Sequence, residues 1–210
     1  MLKANKNLMT MAIIGAITTT LLLTTSQGIA HERGHKGNQQ RKAVAQFKRL
    51  DANDDRVLEV DELTVPALNK AERKFNRKDA DADGFLTYEE ATAGHPERKD
   101  LSSIAEEIVQ CVADIKEETG NENIIVPDVD KFSSPRDKFD NVDTSNDSLL
   151  DLPEVRAMAT NKAKDKFTTM DTDENDQVSL EEFMRHKLQR HTTRRVVKSC
   201  IDELLDDEGV

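Results

Sequence analysis

Four stretches of this sequence place oxygen-bearing side chains at alternate positions and close on a glutamate. Asp51, Asn53, Asp55, Glu59 and Glu62 form the first. Asp79, Asp81, Asp83, Thr87 and Glu90 form the second. Asp143, Ser145, Asp147, Asp151 and Glu154 form the third, and Asp171, Asp173, Asn175, Ser179 and Glu182 the fourth. Carboxylates spaced this way on a tight loop converge on one point, and a hard cation that takes six to eight oxygens is the chemistry such a point serves. An acidic solvated surface, or acids placed beside helix N-termini, would give clusters too.

The clearest stretch reads Asp79-Ala80-Asp81-Ala82-Asp83-Gly84-Phe85-Leu86-Thr87-Tyr88-Glu89-Glu90, and it resembles an EF-hand calcium loop. The resemblance implies side-chain ligands at positions 1, 3 and 5 and a backbone carbonyl at position 7, here Val57, Phe85, Leu149 and Gln177. It implies a ligand often acting through water at position 9 (Glu59, Thr87, Asp151, Ser179) and two oxygens from the glutamate at position 12. Gly84 stands at position 6, where the chain must turn with positive φ. The other three loops depart from the pattern there, with Arg56, Ser148 and Asp176. Each of these substitutions costs roughly 1 kcal/mol of backbone strain, least at Asp176 because aspartate tolerates positive φ. Ser145 is the weakest position-3 ligand, and Asp151 at position 9 offers compensation.

The surroundings agree between loops. Phe47, Phe75, Phe139 and Phe167 each stand four residues before a loop, and position 8 is apolar throughout: Leu58, Leu86, Leu150 and Val178. In EF-hand pairs, position 8 residues meet in a short strand contact and the phenylalanine sits in the shared core. Loop starts 51 and 79 are 28 apart, as are 143 and 171, and Asn69-Lys70-Ala71 and Lys74-Phe75 recur as Asn161-Lys162-Ala163 and Lys166-Phe167. This is an internal repeat. The expected fold class is all-α: two EF-hand pairs, four helix-loop-helix units, each pair followed by an extra helix. The pairs are expected at 41–95 and 137–190. Only residues 63–78 separate the first two loops, so Pro66 is expected to end one helix and start the next, leaving the exiting helix of each odd-numbered hand stubby.

The extra helices are read at 101–118, within a connecting segment 96–120 that Gly120 ends, and at about 194–205, within a C-terminal segment 191–210. Residues 121–136, with Pro127 and Pro135, read as a linker. Residues 1–30 carry only Lys3 and Lys6 as charges, then an apolar run and Gly28-Ile29-Ala30, the layout of a secretory signal cleaved after Ala30. A membrane anchor would need a longer apolar run. Export to a secreted or periplasmic location is therefore expected, with 31–40 a polar tail and no membrane span in the mature chain. Cys111 and Cys200 are the two cysteines. In an oxidising compartment that number points to one disulfide rather than two buried thiols.

The formal net charge of −11, with 41 acidic against 30 basic residues and 4% aromatics, argues against nucleic acid as a partner. His31-Glu32-Arg33-Gly34-His35 matches the zinc-peptidase motif H-E-x-x-H but lacks apolar periodicity and a third ligand. The basic stretch Arg185 to Lys198 reads as a solvated helix face. No nucleophile–base constellation is apparent, so no enzymatic activity is expected. The resemblance, closest to small exported bacterial EF-hand proteins, implies an exported protein with up to four calcium sites, acting as a buffer or as a module whose fold the ion stabilises. A sensor gripping an unidentified protein partner is the second reading. Only Met158, Met170 and Met184 remain after residue 30, few for a methionine-lined groove.

Overall fold

The computed structural model describes residues 30–94 and 100–207, apart from the side chains of 30–39 and 207. Residues 1–29 of the expected export segment and the side chains of the H-E-x-x-H motif lie outside the described residues. The described chain is mostly helical: α1 (Ala30–Leu50), α2 (Val60–Lys78), α3 (Tyr88–Thr92), α4 (Ala105–Thr119), α5 (Pro135–Asp140), α6 (Leu152–Met170) and α7 (Leu180–Asp207). Four two-residue strands interrupt them: β1 (Val57–Leu58), β2 (Phe85–Leu86), β3 (Leu150–Asp151) and β4 (Val178–Ser179). Short 3-10 turns cover Ser102–Ile104 and Val129–Phe132. No described helix is long and apolar enough to cross a membrane. Residues 31–40, expected as a tail, have helical backbone within α1.

The connection between the first two loops departs from expectation. α2 is one helix of 19 residues with Pro66 inside it, so the exiting helix of the first loop and the entering helix of the second are a single rod. Breaking at Pro66 would leave a piece of under two turns on its N-terminal side, too short to stand alone, and residues 60–78 contain no glycine. Asp61 and Glu62 at its start and Arg77 and Lys78 at its end complement the helix dipole. α6 repeats the arrangement with 19 residues, Leu152–Met170, and carries Met158 where α2 carries Pro66. The stubby exiting helix belongs instead to the second loop, where α3 has five residues.

Continuous rods change which loops meet. Nineteen residues span about 28 Å, so loops at opposite ends of α2 cannot share a strand contact. β1 pairs antiparallel with β4, with Leu58 opposite Val178. β2 pairs with β3, with Leu86 opposite Leu150. The first loop thus joins the fourth and the second joins the third, instead of pairing within 41–95 and within 137–190. The cores follow suit. Phe47, Leu58, Phe167, Val178 and Phe183 share one cluster, and Phe75, Leu86, Phe139, Leu150 and Val155 share another. Phe47 meets Phe183 edge-on at 5.6 Å between centroids, and Tyr88 meets Phe139 at the same distance. α2 and α6 lie side by side between these ends, tied by Arg156 to Glu72 at 3.1 Å.

α4 ends where Gly120 adopts φ +59, as read from the sequence. The C-terminal helix, expected from about 194, is instead the last part of α7, which runs unbroken for 28 residues from the fourth loop. No proline or glycine lies within it to stop it. α4 and α7 are joined by the Cys111–Cys200 disulfide, with Cα atoms 6.0 Å apart. Its sulfurs close a third cluster with Val112 and Ile124. The disulfide expectation is met.

Candidate metal centres

Each loop is built by the same internal hydrogen bonds. The glutamate at position 12 accepts from the amide of position 2: Ala52 to Glu62 (2.6 Å), Ala80 to Glu90 (2.9 Å), Thr144 to Glu154 (2.8 Å) and Thr172 to Glu182 (2.8 Å). Its other oxygen accepts from the amide of position 9: Glu59 (3.1 Å), Thr87 (3.0 Å), Asp151 (3.1 Å) and Ser179 (2.9 Å). The aspartate at position 1 accepts from the amide of position 6: Arg56, Gly84, Ser148 and Asp176, at 2.8–3.2 Å. The side chain at position 5 (Asp55, Asp83, Asp147, Asn175) accepts from the amide of position 7 (Val57, Phe85, Leu149, Gln177), at 2.8–3.0 Å. These bonds fold each loop inward, and in the second and fourth they bring three acidic side chains together.

The backbone turns twice in every loop. Arg56 (φ +73), Gly84 (+88), Ser148 (+67) and Asp176 (+62) occupy the left-handed region, as position 6 requires. So do Asp54 (+59), Ala82 (+60), Asn146 (+58) and Glu174 (+57) at position 4. This second turn was missed in the sequence because Ala82 and Glu174 give no compositional sign of it. The asparagine and the aspartate do.

Position 9 also starts the next helix. Asp151 caps α6 by accepting from the amide of Glu154 at 2.7 Å, and Thr87 caps α3 by accepting from that of Glu90 at 3.2 Å. Ser179 accepts from the amide of Glu182 at 3.3 Å. The glutamate at position 12 therefore closes a capping box, a pattern legible in Thr87-x-x-Glu90 and Ser179-x-x-Glu182. At the other side of the second loop, Lys78 Nζ donates to the carbonyls of Glu90, Ala91 and Ala93 at 3.3, 2.7 and 3.0 Å, satisfying the end of α3. Burial, then Lys74 and Arg77, lower its pKa.

In three loops these bonds favour the ionised glutamate. Amide donation from Thr87 and then Ala80 holds Glu90 below the usual carboxylate range. Burial works to raise Glu154 and Glu182, but the hydrogen bonds outweigh it and lower both, Glu182 to about 2.

The loops differ in how their remaining oxygens are satisfied. In the second, Asp79, Asp81 and Asp83 bring oxygens within 4.8 Å of one another, with no donor side chain among them. Asp79 Oδ1 is buried without a hydrogen-bond partner. In the fourth, Asp171, Asp173 and Glu182 converge within the same 4.8 Å. Asn175 Nδ2 donates to Asp173 at 3.0 Å, and Asp171 Oδ1 accepts from the amide of Asn175 at 3.1 Å. The first and third loops hold amide or hydroxyl groups at position 3, and these bond inside the loop: Asn53 to Asp55 at 2.9 Å and Ser145 to Asp143 at 3.1 Å. Both acidic trios could hold a metal ion. An orphaned buried carboxylate oxygen beside two further carboxylates is a donor set that a cation relieves, so the residues present fit such a group. Compared with protein-family models, with curated proteins and with solved structures, the chain finds no match.

Proposed function

We propose that the chain is an exported calcium-binding protein of EF-hand type. The observation carrying this reading is Asp79 Oδ1, buried and unpartnered in a loop whose three carboxylates otherwise repel one another. A divalent cation there takes oxygens from Asp79, Asp81, Asp83 and Glu90, with the Phe85 carbonyl and the Thr87 position completing the set that the sequence pattern implies. The preference for calcium over softer metals rests on ligand chemistry, since every side chain in the loop core offers oxygen and none offers imidazole or thiolate. The other three loops share the hydrogen-bond frame and are read as further sites of the same kind.

The ion acts on the fold through charge. The chain after residue 30 carries −13, and four divalent ions reduce this to −5. Binding to the folded state alone stabilises it by linkage. Calorimetric calcium titration of residues 31–210, with Glu90→Gln and Asp79→Asn as controls, tests the reading. Saturable heat that weakens in both variants, together with a melting temperature raised by calcium, supports it. An identical melt with calcium and with chelator overturns it.

A further inference from the structure

A cavity opens beside the second and third loops. α2 and α6 wall a cavity of about 1250 Å³, closed further by α3, α5, the segments at Leu101 and Phe132, and the end of α7 at Ile201 and Leu205. Its floor is apolar, with Phe75, Leu86, Phe139, Leu150, Val155 and Met158. Its charged lining is predominantly positive: seven lysines contribute against a single acid, Asp100. In a chain with 41 acidic and 30 basic residues, that is a local reversal of the overall charge.

The lysines are placed regularly. Lys70 and Lys74 stand one turn apart on α2, and Lys162 and Lys166 repeat them on α6. They belong to the repeated segments that the metal loops leave unexplained. Like charges at this spacing destabilise a helix. The protein does not neutralise them, because none of Lys70, Lys74 and Lys162 makes an ion pair among the described residues.

We propose that this cavity binds a single-chain anionic amphiphile, its tail on the apolar floor and its head between the lysine rows. The volume exceeds the roughly 300–1,000 Å³ of ordinary small-ligand sites, which suits a long chain. A helix about 10–12 Å across would exhaust it in two to three turns, leaving no flank to lie along both lysine rows. A flexible acyl chain has no such limit. The site shares Leu86, Tyr88 and Leu150 with the second and third loops but none of their oxygen-donor side chains, so anion binding is tested separately from the calcium reading.

The test is titration of the disulfide-intact chain with dodecanoate below its micellar concentration, in calcium and in chelator. Dodecyltrimethylammonium and acetate serve as comparators. The expected result is saturable dodecanoate binding in at least one of the two conditions, about tenfold or more tighter than the cationic amphiphile, and none for acetate. Lys70→Glu with Lys162→Glu, both exposed positions, weakens it about tenfold without lowering the melting temperature, and Ala67→Trp blocks it by filling the cavity. Equal affinity for both amphiphiles, undiminished binding by the charge-reversed variant, no saturable binding in either condition, or displacement of dodecanoate by an acidic amphipathic peptide at lower concentration overturns the proposal.

Discussion

Leu58 lies directly opposite Val178 in an antiparallel pair, although 120 residues separate them in the chain. Both side chains are fully buried. This contact, together with Leu86 opposite Leu150, closes the four loops into a ring. α2 links the first loop to the second, β2 and β3 the second to the third, α6 the third to the fourth, and β4 and β1 the fourth to the first.

The ring predicts who feels a lost site. On the proposed calcium reading, Glu182→Gln disables the fourth loop, and its effect passes to the first loop across the shared strands. In a calcium titration followed by amide resonances, the Arg56 transition moves several-fold toward higher calcium, while that of Gly84, on the far side of the ring, moves least. Equal displacement of both resonances would show that the strand pairing does not carry coupling.

Backbone strain at position 6 is open to direct measurement. Arg56 holds φ +73, so Arg56→Gly removes roughly 1–2 kcal/mol of strain and gives back part of it through a looser unfolded chain. A net gain of about 0.5–1 kcal/mol is expected in urea denaturation. The converse, Gly84→Ala, meets no atom within 4 Å and loses about 1 kcal/mol through φ alone.

The disulfide closes a large loop of the unfolded chain, with 89 residues of separation. Cys111→Ala with Cys200→Ala therefore lowers stability by about 2–4 kcal/mol.

His186 supplies a pH dependence above the carboxylate range. Burial, followed by Lys166, Lys187 and Arg190, lowers its pKa from 6.5 to about 4. The unfolded chain then binds more protons between these values, so stability falls as pH drops from about 6.5 to about 4 and levels off below. The side chain is half-exposed, and screening reduces the effect to about 1 kcal/mol. His186→Gln flattens the difference in melting temperature between pH 6.5 and pH 5, measured against the unsubstituted chain.

Local features were legible in the residues because the loops are local objects. Asp79, Asp81 and Asp83 need only their own loop to converge, and the repeat of Phe47, Phe75, Phe139 and Phe167 marked where each helix enters. The left-handed turns at Ala82 and Glu174 were hidden because neither residue type signals positive φ. Pro66 misled. Read as a boundary, it is a helix interior, because the helix on either side is worth more than the one bond the proline removes. Met158 at the equivalent place in α6 was the available sign that this segment runs through.

What the amino-acid order determined by itself is the set of donors in each loop, the duplication of the unit and the pair of cysteines available to bridge. Only the tertiary structure decided that the first loop takes the fourth as its partner, and that two lysine-bearing rods packed side by side border one apolar cavity. The reason is physical. A loop's geometry depends on hydrogen bonds a few residues apart, whereas the choice of partner depends on whether a helix continues, which is settled by many small burial terms summed over both halves of the chain.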